Sequence, residues 1–340
     1  MSTPAVDQNA IAQAVRTLEA GGLVAMPTET VYGLAANADD EAAVTNTYRA
    51  KGRPMNHPLI VHVASAEDIP WWAEMTPEAE LLAKTYWPGP LTLVLRKKDR
   101  CGLWVTGGQD TVALRCPSHP WAHALLAAFS GPNHRGLTAP SANSFGRISP
   151  SCARHVADDL GVKPEGKLDL ILDGGTCEYG IESTMVNLSS DHPEILRHGI
   201  ITREMLEATL GCAVPDAGIN APRASGRLKS HYAPKTRAEL IAHPETALAA
   251  RALEIAREGG RVAVLAPAEL RPAVEAIVTA EGGSLALYLD APTDALHYGA
   301  FLYEALHELD ACGATRILIA EPPRSPEWAA VDDRLGRATA

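Results

Sequence analysis

Lys51 and Arg53 stand two residues apart in Lys51-Gly52-Arg53-Pro54, a mobile ammonium beside a planar guanidinium. Such a pair can neutralise several oxygens of a polyphosphate, and a solvated basic loop is the other reading of the same residues. Ser141 and Asn143 put a hydroxyl and a carboxamide two residues apart in Thr138-Ala-Pro-Ser-Ala-Asn143, with Ser149 close behind. Donors at the end of a strand and the start of a helix receive anions, although serine, asparagine and glycine also build plain turns. Thr28, Glu29, Thr30 and Tyr32 lie between apolar runs; buried without partners, each would cost roughly 1–3 kcal/mol. They require a ligand or an internal network. Arg115 and Arg197 end the apolar runs Val112-Ala-Leu and Ile195-Leu, so each head needs a buried anion or the rim of its sheet. Ser183 enters a strand in the same way, with Glu182 beside it as an acid or a strand-edge charge. His62 reads either as a core histidine or as a neutral ring that donates to a substrate.

Absences narrow the chemistry. The chain has no Gly-x-x-x-x-Gly-Lys-Ser/Thr, no His-Glu-x-x-His and no Gly-x-Ser-x-Gly, which removes support for P-loop, zincin and α/β-hydrolase readings. Its six cysteines include no Cys-x-x-Cys pair, so they read as reduced thiols rather than a zinc site or a disulfide framework, and the metal ligands stay unknown. A net charge of −11 weighs against nonspecific nucleic-acid binding. The exception is Ala221 to Arg237, which holds Arg223, Arg227, Lys229, Lys235 and Arg237 and no acid. No secretory start or membrane-length apolar run is present, so the expected compartment is the cytoplasm.

The elements that must hold these residues alternate between helix and strand. A helix over Gln8 to Glu19, with Ile11, Val15 and Leu18 on one face, stops at Gly21-Gly22 and leads into a strand at Leu23 to Met26. Asp39 and Asp40 cap a helix through Ala50, leaving Lys51 and Arg53 on the loop that ends it. Further strands fall at Leu59–Val63, Leu91–Leu95, Val112–Arg115, Gly136–Ala139, Leu168–Leu172, Thr184–Leu188 and Glu194–Arg197, and Pro150 is expected to open a helix. Three strands crowd after Leu168, which implies a mixed sheet. Residues 211–237 read as a linker between a domain at 1–210 and a smaller one at 238–340. In the latter, strands at Glu239–Ala242, Arg261–Ala266, Ser284–Leu289 and Arg316–Ala320 alternate with helices. That rhythm implies a small parallel Rossmann-like sheet without a dinucleotide fingerprint.

Taken jointly and in order, five segments resemble the threonylcarbamoyl-AMP synthases of the YrdC-type family. They are Pro27-Thr-Glu-Thr-Val-Tyr-Gly33; Lys51-Gly-Arg-Pro54 with Pro58-Leu-Ile-Val-His62; Val112-Ala-Leu-Arg-Cys-Pro-Ser-His119; Ala139-Pro-Ser-Ala-Asn143; and Glu182-Ser-Thr184. Ser225-Gly-Arg-Leu-Lys-Ser-His-Tyr-Ala-Pro234 and Asp333-Arg-Leu335 resemble the long form, with an extra Rossmann-like C-terminal domain.

The resemblance implies a reaction in which L-threonine, bicarbonate and ATP, with Mg2+, give L-threonylcarbamoyl-adenylate and pyrophosphate. The product would feed the tRNA threonylcarbamoyl-transferase machinery acting on the adenosine beside the anticodon of tRNAs reading ANN codons. It further implies threonine contacts from Thr30, His62, Arg115, the Ala139 backbone and Ser183. ATP contacts would come from Arg53, His57, Thr111, Ser141, Asn143, Ser149, Arg197 and, in the linker, Tyr232. Lys51 and Arg53 would stabilise developing charge, and residues 211–237 would close over the site. Two other readings remain open at this point: an RNA-binding module, which the acidic balance disfavours, and a related carbamoyl-transferring enzyme, which would normally carry further domains.

Overall fold

Asp7 caps the first helix, Gln8–Glu19, by accepting from the Asn9 N–H, and Gly21 at φ 78° lets the chain turn out of it. Ile11, Ala14 and Leu18 are its buried residues, spaced for one face. The computed structural model describes residues 3–226, 231–280 and 283–340. These fall into two units: one runs to Phe145 and resumes from Ser149 to Gly226, and the other comprises Gly146–Ile148 with the chain from His231 onward. Of the basic run, Arg227 and Lys229 lie outside the described residues.

The first unit is built on nine strands: β1 (Val24–Met26), β2 (Gly33–Asn37), β3 (Ile60–His62), β4 (Leu91–Arg96), β5 (Thr111–Arg115), β6 (Leu137–Thr138), β7 (Leu170–Ile171), β8 (Thr184–Asn187) and β9 (Glu194–Arg197). Their order is β7-β1-β2-β6-β3-β5-β4-β8-β9. The sheet is mixed, as expected: β3 runs parallel to β5 and β4 to β8, whereas β4/β5 and β8/β9 are antiparallel. Strand β2 was not legible, because Gly-Leu-Ala-Ala-Asn has low strand propensity. Pairing with β1 on one side and β6 on the other imposes it.

Alternation along these strands separates packing from chemistry. Val61, Leu93, Leu95, Val112, Leu114 and Val186 point into the main apolar core with Trp72, Leu82 and Tyr48. The period of two then turns Ile60 and His62, Thr92 and Val94, Ala113 and Arg115, and Ser183 and Met185 toward the opposite face. There Ile60, Val94, Met185 and Leu196 form a small apolar floor, against which Ala217, Ala221 and Ala224 of the linker pack. The polar partners of that alternation are the candidate ligands.

Two local expectations need correction. Pro150 does not open a helix: its carbonyl accepts from the Tyr32 N–H at 2.9 Å and that of Ser151 from the Cys177 N–H at 2.8 Å. These ties hold 150–151 in place, and the helix starts only at Ala153, running to Asp159. Lys51 is not on a loop but is the last, buried residue of the helix Glu41–Lys51, which Asp40 caps and Gly52, at φ 65°, terminates.

The second unit has strands β10 (Ala238–Ile241), β11 (Val262–Ala266), β12 (Leu285–Asp290) and β13 (Arg316–Ala320) in the order β10-β13-β11-β12. All pairings are parallel. The apolar runs of β11 and β13 are almost wholly buried, as a doubly covered parallel sheet requires. Helices Pro244–Arg257 and Arg271–Ala280 pack with this sheet around Leu248, Ile255, Val264 and Val278. Among the described residues no helix is long and apolar enough to cross a membrane, and the six cysteines are unpaired.

Candidate active site

The loop Pro27–Tyr32 leaves β1 and is braced from within. Thr28 Oγ1 accepts from the backbone N–H groups of Thr30 and Val31 and lies 2.9 Å from Thr30 Oγ1, which fixes the Thr30 hydroxyl in place. Tyr32 donates its hydroxyl to the Gly175 carbonyl at 2.7 Å, tying residues 173–179 beside the same loop. The segment Ala139–Asn143 is stitched to it: Leu34 N–H donates to the Pro140 carbonyl and Ala142 N–H to that of Tyr32, at 2.6 and 2.8 Å. The Ala139 N–H is committed to the Ile60 carbonyl at 3.1 Å, so only its carbonyl could face a ligand.

Lys51 Nζ donates to the backbone carbonyls of Ser141 and Asn143, which joins the helix end to that segment. Its third N–H has no partner among the described residues. Burial, with Arg53 next, holds the Lys51 ammonium well below the usual lysine range. Gly52 turns the chain so that Arg53 Nη2 donates to the Pro58 carbonyl and to Ser225 Oγ, both at 3.0 Å, while its guanidinium lies 5.6 Å from the Phe145 ring centre. His57 meets the same ring edge-on at 5.3 Å, and burial followed by Arg53 lowers its pKa.

His62 and Arg115 are register partners on neighbouring parallel strands. Burial, then Arg115, pushes the His62 ring down to about 3, so it is neutral at ordinary pH. Its Nδ1 lies 3.3 Å from the Ile60 carbonyl, and the backbone of Leu137 also meets the ring. Arg115 donates to Glu29 at 2.6 Å in a pair buried on both sides.

The remaining candidates gather around Ser183. Its hydroxyl is 2.7 Å from Thr92 Oγ1, and Arg197 donates from Nη2 to Ser183 Oγ and from Nε to the Ser183 carbonyl at 3.1 and 3.0 Å. Arg197 Nη1 also donates to the Ser225 carbonyl at 3.2 Å. Ser225 therefore spans Arg53 and Arg197. Ser149 donates to Glu182 at 2.7 Å, both buried. Thr111 lies at the wall of a narrow slot formed with Ile60, Ala113, Met185, Arg223 and Ser225.

Every expected site residue except Tyr232 lies in the first unit. Tyr232 is in the second, 1 % exposed at φ 63°, with its ring against His231, Tyr303 and Arg334. A bulky residue held there is a strained one. Three participants were missed as individuals. Thr92 could have been found as the polar alternant in Leu91-Thr-Leu-Val-Leu95; Ser225 carries no periodic signal; Glu29 was seen only as a polar residue in want of partners.

Buried cations, hydroxyls and a neutral imidazole, with Ser225 bonded to both Arg53 and Arg197, define an enzyme of anion and small polar-molecule chemistry on an α/β scaffold. The family is shown by the sequence itself. Residues 16–199 match the Sua5/YciO/YrdC model described as telomere recombination, and residues 201–340 match the model for the C-terminal domain of threonylcarbamoyl-AMP synthase. The chain belongs to the Sua5/YrdC family. It is 42% identical to the threonylcarbamoyl-AMP synthase of Pyrococcus abyssi over 72% of this chain and 73% of that one. With the Bacillus subtilis enzyme of the same name identity is 44% over 66% of this chain and 64% of the relative. The solved structure of P. abyssi Sua5 complexed with L-threonine aligns with a TM-score of 0.87 at 34% identity, covering 99% of this chain and 96% of that one.

Proposed function

We propose that this chain makes L-threonylcarbamoyl-adenylate from L-threonine, bicarbonate or carbon dioxide, and ATP. The observation that carries the reading is the direct contact between Arg197 and Ser183, where a side rich in cations meets a side built for an amino acid. Thr30, His62, Arg115 and Ser183 form the threonine side, with Arg115 taking the carboxylate. Arg53, His57, Thr111, Ser141, Asn143, Ser149 and Arg197 form the ATP side, the wall of the slot beside Thr111 included. The threonine nitrogen, as the free amine, bonds to the carbon of carbon dioxide and loses a proton, or to that of bicarbonate with a C–O bond breaking and water leaving, giving a carbamate. A carbamate oxygen then attacks the α-phosphorus of ATP, the bond to the β-phosphate oxygen breaks, and pyrophosphate leaves.

The chemistry needs no protein nucleophile; it needs positioning and charge stabilisation. Arg53 and the remaining Lys51 proton face developing negative charge. Magnesium enters with its nucleotide as part of the substrate, and the hydroxyl of Ser141 and carboxamide of Asn143 are the hard oxygen donors that suit a cation keeping most of its shell from phosphates and water. The linker, with Ser225 on both arginines, is read as a lid that excludes water from a labile mixed anhydride. The product is suited to passing its threonylcarbamoyl group to tRNA, with AMP leaving, through a separate transferase in the cytoplasm, with tRNA contact by this chain weak or indirect. A pyrophosphate-release assay with ATP, magnesium and bicarbonate tests the reading: release should require L-threonine, and release indifferent to threonine refutes it.

A further inference from the structure

Glu29 is 1 % exposed, sits between Thr28 and Thr30, and has no part in the contacts assigned above to substrate. One of its carboxylate oxygens accepts from Arg115 Nη2 at 2.6 Å and the other from the Ser118 backbone N–H at 3.2 Å. Its own carbonyl accepts from the Tyr179 N–H at 2.8 Å. The carboxylate is thereby clamped to the chain just past the end of β5, the strand that delivers Arg115. Arg115 Nε, in contrast, is buried without a partner among the described residues. A buried guanidinium held at one nitrogen and unsatisfied at another is prepared for a second anion.

We propose that Glu29 is a positioning residue that locks the Arg115 fork with its open edge toward the threonine carboxylate. The inference rests on the reading of Arg115 as the carboxylate partner. Two effects of Glu29 oppose each other. Its negative charge repels an incoming carboxylate, so a mere counter-charge would, when removed, leave threonine binding tighter. Its clamp fixes the rotamer of a long side chain that would otherwise turn to other acceptors, so a positioning group would, when removed, leave binding weaker. The geometry favours the second effect, because the anchor at Ser118 sets where the carboxylate stands and adds nothing to the charge. The direction of change in the threonine KM separates the two roles.

Glu29→Gln loses the charge and cannot accept from both Arg115 and Ser118; Glu29→Asp keeps the charge and shortens the reach. Steady-state pyrophosphate release should show the threonine KM raised about tenfold or more in each, with the ATP KM within about twofold. Glu29→Gln combined with Arg115→Gln should be no worse than Arg115→Gln alone, since the pair acts as one unit. A threonine KM unchanged or lowered in either folded variant, while Arg115→Gln raises it, overturns the proposal. If Arg115→Gln leaves the threonine KM unchanged, the carboxylate reading itself fails. Should Glu29→Gln not fold, Glu29→Asp decides the matter by the same comparison.

Discussion

Lys51 has two of its three protons committed to carbonyls and is deep enough for burial to lower its pKa. That arrangement makes it a brace between the helix end and residues 141–143, and the proposed reaction would draw on its third proton. Lys51→Met should lower kcat about 100-fold, the loss typical of one preorganised donor, while the protein still melts cooperatively. Pyrophosphate release and calorimetry check this, and undiminished turnover would remove Lys51 from the catalytic set. His62 gives a pH signature. Its folded pKa, about 3, lies below the unfolded value near 6.5, so the unfolded chain binds the proton more readily between these limits. The contribution is favourable above pH 6.5 and fades as pH falls toward 3. Denaturant midpoints for His62→Asn should therefore fall less between pH 6.5 and 4 than those of the unsubstituted chain; parallel curves would contradict the assignment. At this scale the sequence revealed types but not partners. Thr30, Arg115 and Ser183 were legible because polar groups inside apolar runs demand an explanation. Glu29 and Arg115 are 86 residues apart, and nothing local announces their pairing.

Short strands explain how so few residues form a site. In β3, β4, β5 and the approach to β8, one face carries the main core and the other alternates apolar floor and polar side chain: Ile60 with His62, Val94 with Thr92, Ala113 with Arg115, Met185 with Ser183. Most of these strands were readable from β-branched and leucine-rich runs, and the alternation was readable within them. Strand β2 was not, since its alanines are placed by neighbours. The helix at Ala153 begins later than Pro150 suggests because hydrogen bonds hold 150–151 first. The slot beside Thr111 yields an element-scale prediction. Ala113→Leu narrows it from the β5 side and should raise the ATP KM about tenfold, with the threonine KM unchanged, as overpacking a fitted apolar site costs about 1–3 kcal/mol. Equal effects on both substrates would show that the slot is not the nucleotide's alone.

The second unit has its own parallel sheet and apolar core, and its strands were legible from the change in rhythm beyond the linker. Residues 231–340 produced alone should unfold cooperatively in calorimetry; a gradual, non-cooperative loss of structure would show that this core is insufficient. The linker was the least legible part: composition marked it as basic and aperiodic, but only the folded chain brings Ser225 to both Arg53 and Arg197. The central claim is that one site joins three substrates into one adenylate. It is tested most directly by mass analysis of products formed from ATP, L-threonine and carbon-13 bicarbonate. The account predicts an adenylate carrying both the threonine mass and the labelled carbon, with one pyrophosphate for each. Pyrophosphate release without a labelled adenylate, or a threonyl adenylate lacking the label, would contradict it.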